Sequence, residues 1–144
     1  MGKVFDIITI GSATRDVFLF TEQLHAHKTG DAGGRVEACI PFGAKINIEE
    51  IHYDTGGGGT NAAVTFSRLG KFRTGILTRI GNDSRGNSVR NALHADRVNT
   101  SLIQTTSKEH TAYSAILSPA HMKGERTIMV YRGASKRFEH NKIP

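Results

Sequence analysis

Apolar and β-branched residues of this chain gather in short runs punctuated by glycine and small polar residues. Residues 5–10, FDIITI, stop at Gly11-Ser12, which predicts a buried strand ending at a sheet edge. Residues 16–20 and 36–40 are two further β-prone runs with a glycine-marked turn over 30–34 between them. Residues 46–53 alternate apolar and polar before Glu49-Glu50 crowd the run, and period-two alternation predicts strands with one wet face. The span 16–53 therefore reads as a small antiparallel flap. In residues 56–70, GGGGTNAAVTFSRLG, four glycines run into a helical period, with Ala62, Phe66 and Leu69 at i, i+4 and i+7. Thr60 or Asn61 is the expected cap and Gly70 the expected residue past the helix end. Residues 75–80 predict a second core strand, and Asp83 or Ser84 a cap for a helix carrying Val89, Ala92 and Leu93. Residues 102–104 are strand-like. Strand, helix, strand, helix, strand is the order of a parallel α/β sheet. Residues 111–117 and 127–131, joined by a stretch with Pro119 and Gly124, predict a hairpin with a longer loop; no helix is expected after it. No repeat or linker divides the 144 residues, which read as one domain or a piece of one.

Composition narrows the class. With 38% hydrophobic residues and a mean hydropathy of −0.32 the chain can bury a core. No run approaches the ~20 apolar residues of a spanning helix, so no membrane association is expected. The formal charge is +6 and the pI about 9.8, which favours phosphorylated ligands or nucleic acid only where the charge is clustered. Here it is dispersed, without the interleaved aromatics of single-strand binders. Cys39 is alone, which excludes a disulfide framework and a cysteine-rich zinc site and fits a reducing compartment, expected to be the cytoplasm. Met1-Gly2 lacks the Ser or Thr that myristoylation wants, since Asp6 stands there.

The glycine run is the most loaded stretch for chemistry. Glycine lets a ligand or another segment approach the main chain, and Asn61 is the first side chain beyond it that can both donate and accept. Asp16 follows the first strand within six residues, where ligands collect in open α/β sheets; its carboxylate is a candidate for gripping hydroxyl groups. Gly57-x-Gly59-x-x-Ala62 with Asp83 some twenty residues on also fits a relaxed dinucleotide fingerprint, but the run ahead of it alternates instead of being continuously apolar. His25 and His27 at i, i+2 lack a nearby third ligand for a metal. Walker A, G-x-S-x-G and H-E-x-x-H patterns are absent. A non-catalytic nucleotide- or nucleic-acid-binding module using the glycine loop and the basic surface is the alternative class.

The order GSATRD, GGGGTNAAVTFSRLG, RIGNDSRG, TAYSAIL and GERTIMVYRGA resembles the amino-terminal part of the ribokinase-like (PfkB) carbohydrate kinases. The signature positions are Gly56, Gly57, Gly59, Asn61, Ala63 and Gly70. The resemblance implies a Rossmann-like three-layer α/β/α domain, present in its amino-terminal half, with a small β-sheet lid from strands around 16–53 and 111–131. It implies a sugar or nucleoside acceptor lined by Asp16, Gly57, Gly58 and Asn61, with Asp83 and Gly86 shaping a strand-to-helix turn. It also implies ATP and Mg²⁺ as cofactors, no nucleic acid partner, and a homodimer through the lid. Gly58 stands where ribokinases proper carry a Lys, which argues against ribose itself, and ten residues separate Gly70 from Gly81, one more than is usual. In this family the catalytic Asp and most of the ATP site lie in the carboxyl-terminal half. No such motif occurs here, so the chain is expected to hold the acceptor-binding half and to be inactive alone.

Overall fold

A computed structural model of the chain describes residues 5–30, 34–119, 124–139, 141 and 143. Its elements are β1 (Ile7–Ile10), β2 (Thr14–Thr21), β3 (His25–Lys28), β4 (Val36–Cys39), β5 (Glu50–Gly56), α1 (Gly58–Gly70), β6 (Thr74–Leu77), β7 (Arg79–Gly81), α2 (Ser84–Ala95), β8 (Gln104–Thr106), β9 (Ala112–Pro119) and β10 (Thr127–Tyr131). A 3₁₀ turn, Gly133–Lys136, follows β10 where no helix was expected. The class is α/β. Two compact units form, the first from Met1–Asp16, Asp54–Ser114 and Val130–Pro144, the second from Val17–Tyr53 and Ala115–Met129. A four-stranded sheet has the order β10-β9-β2-β5.

In the first unit β1 pairs in parallel with β6, from Ile7 opposite Thr74 to Ile10 opposite Leu77. Asp6 pins the start of this pair. Its carboxylate accepts the Arg73 backbone N–H at 2.8 Å and two guanidinium bonds at 3.0 and 2.6 Å, and that guanidinium holds the Asp6 pKa down at about 2. The expected single strand over 75–80 is broken at Thr78: β6 pairs with β1, while β7 pairs in parallel with β8. Ala63 of α1, Ile76, Ile80, Val89 and Leu93 of α2, Val98 and Ile103 close into one core. This is the expected burial for α2, whose Val89 and Leu93 are fully buried.

The expected burial of β1 and α1 is overturned. Thr9 is buried and donates its hydroxyl to the Gly59 carbonyl at 3.0 Å, so it faces α1. Ile8 and Ile10 alternate with it and are 45% and 66% exposed. The buried residues of α1 are Gly59, Thr60 and Ala63, whereas Phe66 and Leu69 of the expected apolar face are 40% and 82% exposed. The reason is a main-chain crossing. A Cβ on Gly59 would lie 2.8 Å from the Gly11 carbonyl carbon, and one on Gly11 would lie 2.8 Å from the Gly59 nitrogen. Only small residues allow that approach, so the small stripe and not the bulky one faces the sheet. Nor do Thr60 and Asn61 cap the helix. Both lie inside α1, Gly57 is the N-cap, and the left-handed residue at the far end is Lys71 at φ 53° and not Gly70.

In the second unit β3 and β4 form an antiparallel pair from His25 opposite Cys39 to Lys28 opposite Val36. Thr21 donates to the Asn47 carbonyl at 2.8 Å and the Glu49 N–H to the Phe20 carbonyl at 3.0 Å. β5 begins at Glu50, later than the alternation over 46–53 predicts. The expected turn over 30–34 lies partly outside the described residues, as does the loop between β9 and β10. Cys39 is exposed. Among the described residues no group of three or more His, Cys, Asp or Glu is placed to hold a metal ion.

Asp83 closes the turn into α2. Its Oδ1 accepts from the Gly86 N–H at 2.8 Å and from the Thr111 hydroxyl at 2.7 Å, and its Oδ2 from the Thr111 N–H at 2.9 Å. Burial pushes this carboxyl up, but the Thr111 and Gly86 donors, with His110 beside them, outweigh burial and bring the pKa to about 2. A carboxylate lowered in this way stabilises the fold above its unfolded pKa of ~3.9, by about 2 kcal/mol, and the contribution is lost as pH falls from there toward 2. Acid unfolding of wild type should show this loss, and Asp83→Ala should be destabilised at pH 7 and flatter in that window. Equal pH dependence of the two proteins in denaturant melts would contradict the assignment. The crossing gives a second test. Gly59→Ala should cost about 1–3 kcal/mol or more by overpacking against backbone. Gly58→Ala, with nothing within 4 Å of its added carbon, should be neutral or gain up to ~1 kcal/mol of helix propensity. Matching melting temperatures for the two variants would rule the crossing out.

Candidate functional site

Ser12, just past the end of β1, organises the start of α1. Its hydroxyl accepts the Gly58 N–H at 3.3 Å, and its carbonyl accepts the N–H groups of Gly59 and Thr60 at 3.1 and 3.4 Å. Helix starts leave such donors orphaned, and here one residue takes the first three. Gly57 precedes them at φ 103°, and a Cβ on it would run into the Ser12 carbonyl oxygen. The glycine run is thus mostly packed against main chain: Gly57 on Ser12, Gly59 on Gly11. Gly56 has a different neighbour. The space of its missing Cβ is taken by Oδ2 of Asp16, so this glycine seats the carboxylate.

Asp16 lies in β2, whose start at Thr14 is two residues ahead of the β-prone run expected from residue 16. Its Oδ1 is buried with no hydrogen-bond partner among protein atoms. Burial pushes the carboxyl above the usual carboxylate range; the Ser114 hydroxyl and Arg15 draw it down, while Asp54 adds to the rise. An open cleft of about 250 Å³ lies against it, with Ser12, Thr14, Asp16, Gly57, Ser114 and Arg132 in its lining. The lining offers a carboxylate among four hydroxyl groups, those of Ser12, Thr14, Ser114 and Ser135, a set that suits a polyhydroxylated molecule, since a carboxylate accepts from hydroxyls and Ser and Thr can donate or accept.

The structure brings Asp16 and Gly57 to this cleft, and it does not bring Gly58 or Asn61 there. Gly58 is exposed and faces open space. Asn61 is exposed in the first turn of α1 and lines a neighbouring cleft with Asp54, Arg68 and Asp96. Ser114 and Arg132 escaped the sequence reading. For Ser114 a signal existed: Ala112, Ser114 and Ile116 share the buried register of β9, so the one polar residue among them stands out. Arg132 carried only the weak signal of a cation at the end of an apolar run.

The same geometry decides what does not fit. The N–H groups at the start of α1 are spent on Ser12, and Asp83 occupies the start of α2. Neither helix start is free to cradle a phosphate in the manner of glycine-rich nucleotide loops. The dinucleotide fingerprint at Gly57, Gly59 and Ala62, already disfavoured by the alternating run ahead of it, finds no support: its glycines are packed on backbone, and Asp83 caps α2. By the same test the described residues do not fit ATP or Mg²⁺.

A model of the pfkB family carbohydrate kinases matches residues 5–143. Ribokinase of Mus musculus is 27% identical over 129 residues, which are 90% of this chain and 34% of that protein. The fold is similar to that of Arabidopsis thaliana ribokinase, solved with ribose and ATP, with a TM-score of 0.67 and 21% identity over 92% of this chain and 37% of that one. It is also similar to a nucleoside kinase from Methanocaldococcus jannaschii, with a TM-score of 0.69 and 19% identity over 93% of this chain and 39% of that one. The chain thus spans 34% of the length of its curated relative. The family match runs through the crossing at Ser12, the seat of Asp16 and the hairpin that carries Ser114 and Arg132, and on that extent the chain belongs to the pfkB family of carbohydrate kinases.

Proposed function

We propose that this chain binds the acceptor in a kinase that transfers the γ-phosphoryl group of ATP, with Mg²⁺, to a hydroxyl of a sugar or nucleoside. The observation that carries this reading is the Asp16 carboxylate, held by Gly56 with one buried oxygen unbonded beside an open polar cleft. Sugar hydroxyls donate to the Asp16 carboxylate, and the hydroxyls of Ser12, Thr14 and Ser114 complete the bonding of a polyol in the cleft. Asp16 orients the acceptor and does not act as the base. Phosphoryl transfer also needs a base at the attacking hydroxyl and a cradle for the phosphates, and these 144 residues by themselves hold the acceptor without transferring phosphate to it. The family resemblance places Gly58 and Asn61 at the acceptor as well, whereas here both lie outside the Asp16 cleft, and it assigns the second unit the part of a lid through which two copies pair.

Asp16→Asn should raise the sugar dissociation constant on the order of ten- to a few hundredfold, the loss of one or two hydrogen bonds to a charged group. Asn61→Ala should act in the same direction but less. Because the Asp16 carboxyl is raised, sugar affinity of wild type should fall on acidification at a pH above the ordinary carboxylate range, and Asp16→Asn should lack that fall. Calorimetry across pH measures both. Sugar binding by Asp16→Asn within about twofold of wild type would overturn the reading, and tight, salt-sensitive binding of DNA or RNA in place of sugar would favour a nucleic-acid module.

A further inference from the structure

The ribbon of β3 and β4 carries a group of side chains for which the acceptor site has no use. His25 and His27 stand at i and i+2 on β3, so both lie on the same side of the strand. The register puts Cys39 directly opposite His25 and Glu37 directly opposite His27. Opposed residues of an antiparallel pair share a face, with Cβ atoms about 4.5–5.5 Å apart. Two imidazoles, a thiol and a carboxylate therefore occupy one face of the ribbon, and the third ligand that the sequence around the histidines lacks comes from the neighbouring strand. All four residues are exposed, and none of their side chains is hydrogen-bonded or ion-paired to a described residue. As they stand the side chains do not converge on one point. Nothing holds them apart, however, so an arriving ion has only exposed rotamers to turn. The ribbon also lacks other support. Among the described strands β3 and β4 pair only with each other, and every residue of β4 is exposed. A lone two-stranded ribbon is marginal in water, and a ligand set that crosses its strands would staple it.

We propose that this face binds one Zn²⁺ ion through His25, His27 and Cys39, with water in the fourth position and Glu37 holding the His27 ring. The proposal is independent of the acceptor-site reading. A nitrogen and sulfur set suits zinc, at about 2.0–2.1 Å for imidazole and 2.3 Å for thiolate. Cys39 has the shortest reach, so the ion sits close to the Cys39 and His25 pair. His27 lies about 7 Å along the strand, two residues at ~3.4 Å each, and meets the ion with Nε2, the far nitrogen of its ring. That leaves the His27 Nδ1–H for the carboxylate opposite, the usual way in which an outer carboxylate fixes the tautomer of a ligating histidine. As the sulfur–zinc bond forms, the thiol gives its proton to solvent and a water leaves the shell of the ion. The bound ion ties β3 to β4 within the second unit.

Cobalt(II), a coloured substitute for zinc, tests the proposal on the purified, chelator-treated protein in the full length its gene encodes. Co²⁺ should bind with a thiolate-to-cobalt charge-transfer band and the intense visible bands of tetrahedral cobalt, and Zn²⁺ should displace it. Cys39→Ser should abolish the charge-transfer band, which also separates this site from any other cysteine or metal site of the protein. Loss of an outer partner weakens metal binding by about ten- to a hundredfold. Glu37→Gln should thus keep the band at about tenfold lower affinity, and His27→Ala should lose about a hundredfold or more. Lys28→Ala, on the other face of the same ribbon, should bind as wild type does. Because the four residues are exposed and unbonded, the metal-free variants should melt where the metal-free wild type melts. With Zn²⁺ the amides of β3 and β4 should exchange hydrogen more slowly in wild type and not in Cys39→Ser. The absence of a thiolate band, a band that survives Cys39→Ser, or an affinity that His27→Ala leaves unchanged would each overturn the proposal and leave the acceptor site untouched.

Discussion

The crossing of the chain at Ser12 over the first turn of α1 is the constraint from which the first unit is built. Three N–H groups from Gly58 to Thr60 converge on one serine, and the main chains of Gly11 and Gly59 lie so close that a methyl group on either would meet backbone at 2.8 Å. Backbone cannot yield as a flexible side chain does, so the contact fixes three things together. It sets how near α1 lies to β1, it selects the small stripe of Gly59, Thr60 and Ala63 as the buried face, and it consumes the helix start that would otherwise attract an anion. The exposed positions of Phe66, Leu69, Ile8 and Ile10 follow from the same geometry, because the bulky residues are rotated off the face that the crossing buries.

The site is a by-product of that packing. A chain held at Ser12 and Gly57 brings Gly56 against β2, and the vacant Cβ position of Gly56 admits the Asp16 carboxylate. Asp16 is thereby half-buried with one oxygen lacking a partner, a costly arrangement for an ionised group unless something else donates to it. A ligand hydroxyl is the donor that the open cleft can supply. The glycines act on recognition indirectly: they do not wrap the ligand, they place the carboxylate that meets it. Asp83 performs a separate task, joining the start of α2 to Thr111 and so tying the second strand-helix turn to the strand that carries Ser114.

Short-range signals in the sequence were legible. β10 spans residues 127–131 as its β-branched run predicts, and Asp83 caps α2 as a carboxylate three residues ahead of a helix-turn glycine should. Val89 and Leu93 face the core because nothing closer competes for that space. Long-range determinants were not legible. The face of α1 was misread because periodicity ranks residues by apolarity, and the crossing ranks them by size. The break at Thr78 depends on β8, whose Gln104 N–H bonds the Thr78 carbonyl at 2.9 Å, and no local feature of residues 75–80 announces it. Asp16 was found as a candidate at the start of a β-prone run, but the strand begins earlier, at Thr14, because its neighbours in the four-stranded sheet set that start. Arg132 entered the cleft only once β9 and β10 were paired beside β2.

The central claim is that packing holds an under-bonded carboxylate ready for sugar hydroxyls, and carboxyl-carbon NMR of the aspartates, titrated with and without saturating sugar, tests it most directly. In the free protein Asp16 should titrate above the usual carboxylate range, as burial dictates, and Asp83 far below it. Sugar hydroxyls that donate to the ionised form stabilise that form, so the account predicts that sugar moves the Asp16 midpoint down and leaves that of Asp83 in place. An Asp16 midpoint unmoved by a sugar that binds would show that the carboxylate does not face the acceptor, and would contradict the account.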